Sequence, residues 1–203
     1  MWDERYSSAG YAYGTAPNDF LRQHLAWLPQ GRTLSLAEGE GRNAVFLAQQ
    51  GHQVTAVDAS PVGLAKAERL AQAHGVSLAC VVADLAQFEP GQAQWDAVVS
   101  VFCPLPRAVR AVVHRRVVAA LKPGGVFLLE AYRPEQLAYG TGGGNNPDTM
   151  PTLAQLAEEL DGLEWLLLQA TESEVIEGQY HTGRAAVVQA IGRKPCTHSG
   201  APT

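Results

Sequence analysis

A glycine turn between two apolar runs constrains the fold of this 203-residue chain more than any other feature. The segment from Leu34 to Ala48 reads LSLAEGEGRNAVFLA, and a second apolar run ends at Asp58. A strand, a Gly39-x-Gly41 turn, a helix and a second strand followed by a carboxylate form a nucleotide-binding βαβ unit. Its glycines permit close backbone approach, and its helix N-terminus offers free amides. The segment therefore predicts a site for an adenosine-bearing cofactor.

The same residues fit two kinds of cofactor. The run from Gly39 to Ala44 also satisfies the G-x-G-x-x-G/A pattern of dinucleotide sites, in which a pyrophosphate lies at the helix N-terminus. Glu38 and Glu40 flank that position, and each close pair of like charges would cost about 1 kcal/mol or more in a partly dry site. The carboxylates suit a cation instead, such as the sulfonium and ammonium groups of S-adenosylmethionine. We favour this cofactor, with NAD as the alternative.

Composition limits the classes of partner. The chain has 46% hydrophobic and 17% charged residues, and its net charge of -5 at pH 7 gives nucleic acid no basic surface. No apolar run approaches the ~20 residues that cross a bilayer, and the first residues lack signal-peptide features, which predicts a cytoplasmic protein without membrane contact. Three separated cysteines and scattered histidines indicate neither disulfides nor a metal site. We expect a small-molecule partner and a monomer or homodimer.

Patterns along the chain predict a single α/β domain over residues 1–193. Residues 1–30 are expected to form an N-terminal cap and helix, and residues 134–151 a glycine-rich loop long enough to be a lid. Glu177-Gly178-Gln179 separates two strand-like runs and predicts a terminal antiparallel hairpin. Residues 194–203 are predicted to be a disordered tail. Strands are expected at 32–37, 53–57, 77–82, 97–101, 126–131, 165–176 and 180–191.

Four features in register resemble class I S-adenosylmethionine-dependent methyltransferases, from Arg32 to Arg193. They are the glycine loop, Asp58, the Ala83-Asp84-Leu85 triplet and the turn Leu121-Lys122-Pro123-Gly124-Gly125. The resemblance implies a three-layer α-β-α Rossmann-like fold, whose seven-stranded, mostly parallel sheet has an antiparallel last strand. It also implies S-adenosyl-L-methionine as cofactor and methyltransferase activity. WDERYSS and GEGRNAVFLA are similar to segments of tellurite-resistance and thiopurine-type small-molecule methyltransferases.

The resemblance, together with position at the ends of the first four strands, assigns the cofactor contacts. Asp58 is expected to hold the ribose, and Asp84 and the Leu85 amide to meet the adenine. Ser35 departs from the family, because it stands where an acidic residue usually helps to hold the methionine end. Two outcomes are open: Glu38 or Glu40 substitutes for that residue, or the affinity for the cofactor is lower. The predicted cofactor residues are Glu38, Gly39, Glu40, Gly41, Asn43, Asp58, Ala59, Asp84, Leu85, Ser100, Val101 and Phe102.

The acceptor side is predicted from polar and aromatic residues outside this set. The candidates are Tyr6, Tyr11, Tyr13, Tyr132, Arg133 and His181. A soft nucleophile such as a thiolate, selenite or tellurite needs no catalytic base, whereas an oxygen or nitrogen acceptor needs His181 or a tyrosine of lowered pKa. Arg133 would steady an anionic acceptor. We expect methyl transfer to a small, soft or anionic acceptor, with an NAD-dependent oxidoreductase and a non-catalytic S-adenosylmethionine-binding protein as alternatives.

Overall fold

Seven strands form one sheet in the computed structural model, which describes residues 2–196. In chain order they are β1 (Arg32–Leu36), β2 (Gln53–Asp58), β3 (Ala79–Val82), β4 (Trp95–Val101), β5 (Leu121–Tyr132), β6 (Glu164–Glu177) and β7 (His181–Arg193). Their order across the sheet is β3-β2-β1-β4-β5-β7-β6. The first five strands pair in parallel, and β7 is antiparallel to both of its neighbours. The predicted seven-stranded, mostly parallel sheet with an antiparallel last strand is confirmed.

Helices cover both faces of the sheet. They are α1 (Trp2–Tyr6), α2 (Asp19–Gln23), α3 (Arg42–Gln49), α4 (Pro61–Ala73), α5 (Arg107–Ala120) and α6 (Leu153–Glu159), with 3-10 turns at Leu25–Trp27, Pro134–Ala138 and Pro147–Thr149. One face is covered by α2, α3 and α4, which bury Leu21, Leu47 and Leu64, and the other by α5 and α6, which bury Val117 and Leu156. No helix within residues 2–196 is long and apolar enough to cross a bilayer.

The central strands are apolar on both sides, as the sequence pattern predicts. Val98 and Val99 are neighbours in β4, yet both are fully buried, because one packs under α5 and the other under α3. Complete burial of such a side chain contributes about 1.5–3 kcal/mol. The two hydrophobic layers therefore hold the carboxyl ends of β1, β2 and β4 in fixed positions.

The strand order reverses at β1. This strand pairs with β2 on one side and with β4 on the other, although β4 follows much later in the chain. Ligands of open α/β sheets bind outside the carboxyl ends of the strands at such a reversal. The loops after β1, β2, β3 and β4 consequently converge on one crevice.

The turn predicted before β5 belongs to that strand. Leu121 pairs with Trp95 at its start, and the ladder with β4 resumes at Val126 after an irregularity. Beyond β7, the Lys194 amide donates to the Gly125 carbonyl at 2.8 Å. Residues 197–203 of the predicted tail lie outside the described residues.

Residues 2–18, here called the N-terminal strap, cross the crevice. The strap begins with α1, which contacts α4 where the Ser60 hydroxyl donates to the carboxylate of Asp3. Farther along, the Ala12 carbonyl accepts from the Gln179 amide at 2.9 Å, in the turn between β6 and β7. The strap thus joins the first half of the sheet to the hairpin at its other end.

Candidate cofactor and acceptor site

A first cavity of about 230 Å³ opens at the crevice, against the N-terminal strap. Gly39, Gly41 and Ser100 do not line it, but the other predicted cofactor residues do. Those are Glu38, Glu40, Asn43, Asp58, Ala59, Asp84, Leu85, Val101 and Phe102. The structure therefore brings most of the predicted set together in one space.

The two glycines of the loop shape the cavity from behind. Both have positive φ angles, 61° at Gly39 and 95° at Gly41, which favour glycine. A Cβ atom on Gly41 would lie 2.6 Å from the Cβ of Ala67, so this glycine lets the loop pack on α4. A Cβ on Gly39 would lie 2.6 Å from the hydroxyl of Tyr6. The absence of a side chain at Gly41 thus allows the loop to pack on α4, and its absence at Gly39 leaves room for Tyr6 of the N-terminal strap.

Glu38 caps helix α3 with its side chain. Its Oε1 accepts the amides of Asn43 at 3.1 Å and Ala44 at 2.9 Å, and the Ser35 hydroxyl donates to its other oxygen. Burial raises the pKa of Glu38, and these hydrogen bonds oppose the rise. A carboxylate thus stands beside Ser35 after all, supplied from three residues downstream. Because Glu38 occupies helix amides that would otherwise receive an anion, a pyrophosphate has no binding position there.

Glu40 anchors the strap. Its carboxylate accepts the Ala12 amide at 2.6 Å and pairs with the Lys66 ammonium at 2.6 Å, and both side chains are more than 90% buried. The charge of Glu40 is therefore compensated within the chain. Of the two carboxylates that flank the turn, only Glu38 therefore disfavours a pyrophosphate.

Asp58 lies where a ribose contact is expected. Its two oxygens accept the amides of Gly39 and Ser60, each at 2.8 Å, and the side chain is buried. Burial raises the pKa of Asp58, while these amide bonds oppose the rise. A carboxylate offers about four acceptor positions, so both oxygens retain capacity for hydroxyl donors. Asp58 is thus held rigidly and can still accept from a ligand.

Replacing Asp58 with alanine should weaken binding of S-adenosylhomocysteine at least tenfold, because two ribose hydroxyls lose a charged acceptor. Isothermal titration calorimetry measures the effect. Asp19→Ala is the matched control, since Asp19 is an exposed helix carboxylate that does not line the cavity. The melting temperature of each unliganded variant reports any loss of fold. An unchanged dissociation constant for Asp58→Ala would rule out its ribose role.

The predicted adenine end is more open. Asp84 is exposed, and its Oδ1 accepts the Ala86 amide at 2.9 Å, whereas Leu85 is buried. Phe102 follows β4 with a positive φ of 49° and stacks on Tyr132, with ring centroids 4.5 Å apart. Ser100 instead borders a small buried void. Val101 and Phe102, not Ser100, therefore form the β4 side of the cavity.

A second cavity of about 570 Å³ adjoins the first. Of the acceptor-side candidates, Tyr13, Tyr132 and His181 line it. Tyr6 lines the first cavity only, and Arg133 lines neither, because its guanidinium pairs with Glu135 at 3.0 Å. Tyr11 contributes to neither lining and lies over the Lys66 ammonium at 5.5 Å. The two cavities share Trp2, Tyr13, Phe102, Cys103, Pro104 and His181, a set here called the shared wall.

Two site residues that the sequence did not reveal fix His181. The Nδ1 of His181 lies 2.9 Å from a carboxylate oxygen of Glu177, and Arg42 donates to the same oxygen at 2.7 Å. Although burial opposes it, hydrogen bonds from His181 and Arg42 lower the pKa of Glu177 to about 2. The charged Glu177 favours the tautomer of His181 that carries its proton on Nδ1, and in that tautomer Nε2 is the acceptor. Arg42 and Glu177 each lie next to a turn that the sequence predicts, but nothing in the sequence indicates that the two residues are in contact, because they are 135 positions apart.

The pKa shift of Glu177 predicts a pH effect on stability. Since its folded-state pKa of about 2 lies below the ordinary value of 4.5, its contribution is present above pH 4.5 and is lost as the pH falls toward 2. Urea unfolding at a series of acidic pH values should show this fall in the free energy of unfolding. Glu177→Gln should show a shallower fall over the same range, and an identical slope in both proteins would contradict the ion pairing.

Tyrosines at the site are poor bases. Burial raises the pKa of Tyr6, Tyr13 and Tyr132, so none is a tyrosinate near neutral pH. Burial likewise raises the pKa of the Cys103 thiol to about 12. No group of His, Cys, Asp and Glu within residues 2–196 is arranged to hold a metal ion. His181 is therefore the candidate base of the site.

The first cavity fits the cofactor that the resemblance implies. Asp58 offers acceptors for ribose hydroxyls, and Glu38 offers a carboxylate for an ammonium group. Arg42 brings a buried Nη1 donor that has no partner among the described residues. A ligand with a ribose and a zwitterionic amino-acid tail has the hydroxyl, ammonium and carboxylate groups that these three residues can bind.

Comparisons with known proteins agree with this fit. Residues 33–125 match the family model described as a methyltransferase domain. The uncharacterized methyltransferase sll0829 of Synechocystis is 35% identical over 120 residues, covering 55% of this chain and 52% of that protein, so the chain spans about half the length of this relative. Among solved structures, TehB from Haemophilus influenzae superposes with a TM-score of 0.70 at 17% identity, over 95% of this chain and 65% of that one.

A second structure matches this chain over more of its own length. The N-methyltransferase NodS from Bradyrhizobium japonicum superposes with a TM-score of 0.66 at 15% identity, over 95% of each chain. At such identity the likeness shows the fold. The chain therefore has the Rossmann-like fold of these methyltransferases, and residues 33–125 match a methyltransferase domain.

Proposed function

We propose that this chain transfers a methyl group from S-adenosylmethionine to a small, soft or anionic acceptor, either a thiol or a metalloid oxyanion such as tellurite or selenite. The shared wall carries the proposal, because ligands bound in the two cavities would be neighbours across it. When bound, the cofactor supplies a methyl group activated by its sulfonium. The chain then has to position the acceptor and exclude water.

The walls of the second cavity support such an acceptor. Five aromatic residues and Met150 contribute to its lining, beside residues of the glycine-rich loop, and these side chains suit a polarizable thiol or metalloid. Arg5 provides a cation there, because its guanidinium lies 4.5 Å from the ring centre of Tyr180 and donates to the Tyr13 hydroxyl at 2.7 Å. Arg5 therefore takes the place that the sequence suggested for Arg133.

His181 extends the proposal to acceptors that carry a proton. Its Nδ1 is engaged by Glu177, so its Nε2 is available to take a proton from an acceptor at the shared wall. A thiol would be deprotonated in this way before it attacks, whereas an oxyanion would use an existing lone pair. We propose that the site accepts both kinds of nucleophile, with His181 essential for the thiol alone.

The position of Glu38 speaks against the NAD-dependent alternative. A dinucleotide needs the amides at the start of α3, and the Glu38 carboxylate already accepts from Asn43 and Ala44 there. A non-catalytic S-adenosylmethionine-binding protein is the other alternative. The second cavity beside the cofactor site favours catalysis over binding alone.

Ligand-dependent melting followed by turnover tests the proposal. S-adenosylmethionine and S-adenosylhomocysteine should raise the melting temperature, since a ligand at 100 times its dissociation constant adds about 2.7 kcal/mol of stability. NADH should not. S-adenosylhomocysteine production is then measured with thiols, tellurite and selenite. A shift with NADH alone would favour the oxidoreductase, and binding without turnover on any acceptor would favour the non-catalytic protein.

A further inference from the structure

We propose that Arg42 binds the carboxylate of the methionine moiety of S-adenosylmethionine through its Nη1, while its Nη2 holds Glu177. The inference rests on the proposed function in one respect, since it takes this cofactor to be the ligand of the first cavity. It assigns the anionic end of the cofactor to a side chain that sequence analysis did not single out.

The first support is an unpaired donor. The side chain of Arg42 is only 9% exposed, and Nη2 donates to Glu177 at 2.7 Å. Nη1 is buried and has no hydrogen-bond partner among residues 2–196. A buried charged donor without an acceptor is unfavourable, so native proteins satisfy such groups with a protein group, water or ligand. Arg42 therefore has one donor fixed by the chain and one left for something else.

The second support is the position of Arg42. It is the first residue of α3, directly after Gly41, and it lines the first cavity but not the second. The group to which Nη1 donates therefore belongs to the cofactor and not to the acceptor. The carboxylate is the only anionic group of S-adenosylmethionine, and a guanidinium is well suited to carboxylates in geometry and charge.

The third support is the distribution of charge around this end of the cavity. Glu38 lines the same cavity, close enough to Arg42 for the guanidinium to oppose the rise in the pKa of Glu38. A zwitterion placed here would direct its ammonium toward Glu38 and its carboxylate toward Arg42. The pair would then recognise the amino-acid tail despite Ser35 in the usual acidic position.

The proposal also links the cofactor to the base. Glu177 accepts from Arg42 and His181 through the same oxygen, so the residue that meets the cofactor and the residue that meets the acceptor share one carboxylate. Arg42 is accordingly a cofactor-binding residue and, through Glu177, a positioning residue for His181.

Calorimetry with two ligands tests the assignment. Wild type, Arg42→Met and the control Arg133→Met are titrated with S-adenosylhomocysteine and with its decarboxylated analogue, which lacks only the carboxylate. Arg42→Met should weaken S-adenosylhomocysteine binding about 10- to 100-fold, as expected for a hydrogen bond between charged groups, and leave the affinity for the analogue unchanged. Arg133→Met should alter neither, because Arg133 lines neither cavity.

Each other outcome has a distinct meaning. An equal loss for both ligands would overturn the proposal, leave the cofactor assignment intact and reduce Arg42 to a link between α3 and the hairpin. If Arg42→Met does not fold, Arg42→Lys and the wild type give the answer, because equal affinity of wild type for the two ligands would also overturn it. Failure of wild type to bind S-adenosylhomocysteine at all would overturn the proposed function first and this inference with it.

Discussion

Replacing His181 with glutamine should lower kcat for a thiol acceptor by about 10²- to 10⁴-fold, the usual contribution of a positioned general base. Among residues 2–196, His181 is the only histidine that lines the cofactor cavity or the cavity adjoining it, and Glu177 holds its Nδ1 at 2.9 Å. Glutamine keeps a polar side chain of similar length but cannot take up a proton. The initial rate of S-adenosylhomocysteine formation at saturating concentrations of both substrates measures the effect.

The choice of acceptor provides the internal control. Tellurite and selenite have no proton that must leave before attack, so His181→Gln should reduce their methylation far less than that of a thiol. His74→Gln is the matched variant, because His74 is an exposed histidine at the end of α4 and should leave both rates unchanged. Equal losses with thiol and oxyanion would assign His181 a packing role against Phe102 and Tyr132 instead of proton transfer.

The features of the fold that could be predicted from the sequence are those that residues close together in the chain determine. The order of strands, the turn at Gly39 and Gly41 and the position of Asp58 follow from apolar periodicity and glycine placement, which are local properties. The antiparallel hairpin was predictable for the same reason, because two apolar runs flank a short polar turn at Gly178. Each of these features is encoded within one contiguous segment of the chain.

The partners of the charged groups could not be predicted. Arg42 and Glu177 are 135 positions apart, and their contact depends on where the β6–β7 hairpin packs against α3. Glu40 reads as a loop carboxylate beside the ligand, until α4 places Lys66 against it. The position of a carboxylate in the sequence therefore does not reveal which cation compensates its charge, because the fold brings that cation from a distant part of the chain.

Replacing Lys66 with methionine should lower the free energy of unfolding by about 3–5 kcal/mol. The change leaves Glu40 buried, 4% exposed, with no cation beside it. It also removes the hydrogen bonds that Lys66 donates to the carbonyls of Ser8 at 2.8 Å and Gly10 at 2.6 Å, which hold the strap. Urea unfolding followed by circular dichroism measures the loss.

Lys122→Met is the matched control for this change. Lys122 and Asp96 form a pair of similar length, 2.8 Å, but their side chains are 40% and 24% exposed, so water stabilises the carboxylate that remains. Pairs of this kind contribute at most about 1 kcal/mol. If Lys66→Met cost no more than Lys122→Met, burial of the Glu40–Lys66 pair would have no energetic consequence.

The double variant Glu40→Gln/Lys66→Met separates loss of the pair from the burial of an uncompensated charge. It removes both charges, so it should recover a large part of the stability lost in Lys66→Met, although the Ser8 and Gly10 carbonyls still lack their donor. A loss of 3–5 kcal/mol is a large share of the about 5–15 kcal/mol that stabilises a domain. The recovery in the double variant therefore also gives a folded protein in which the strap is more weakly held.

In the double variant, the strap residues Trp2 and Tyr13 of the shared wall should be held less firmly, and methyl transfer should slow while S-adenosylhomocysteine still binds. Wild-type kcat in the double variant would show that the strap acts on stability alone.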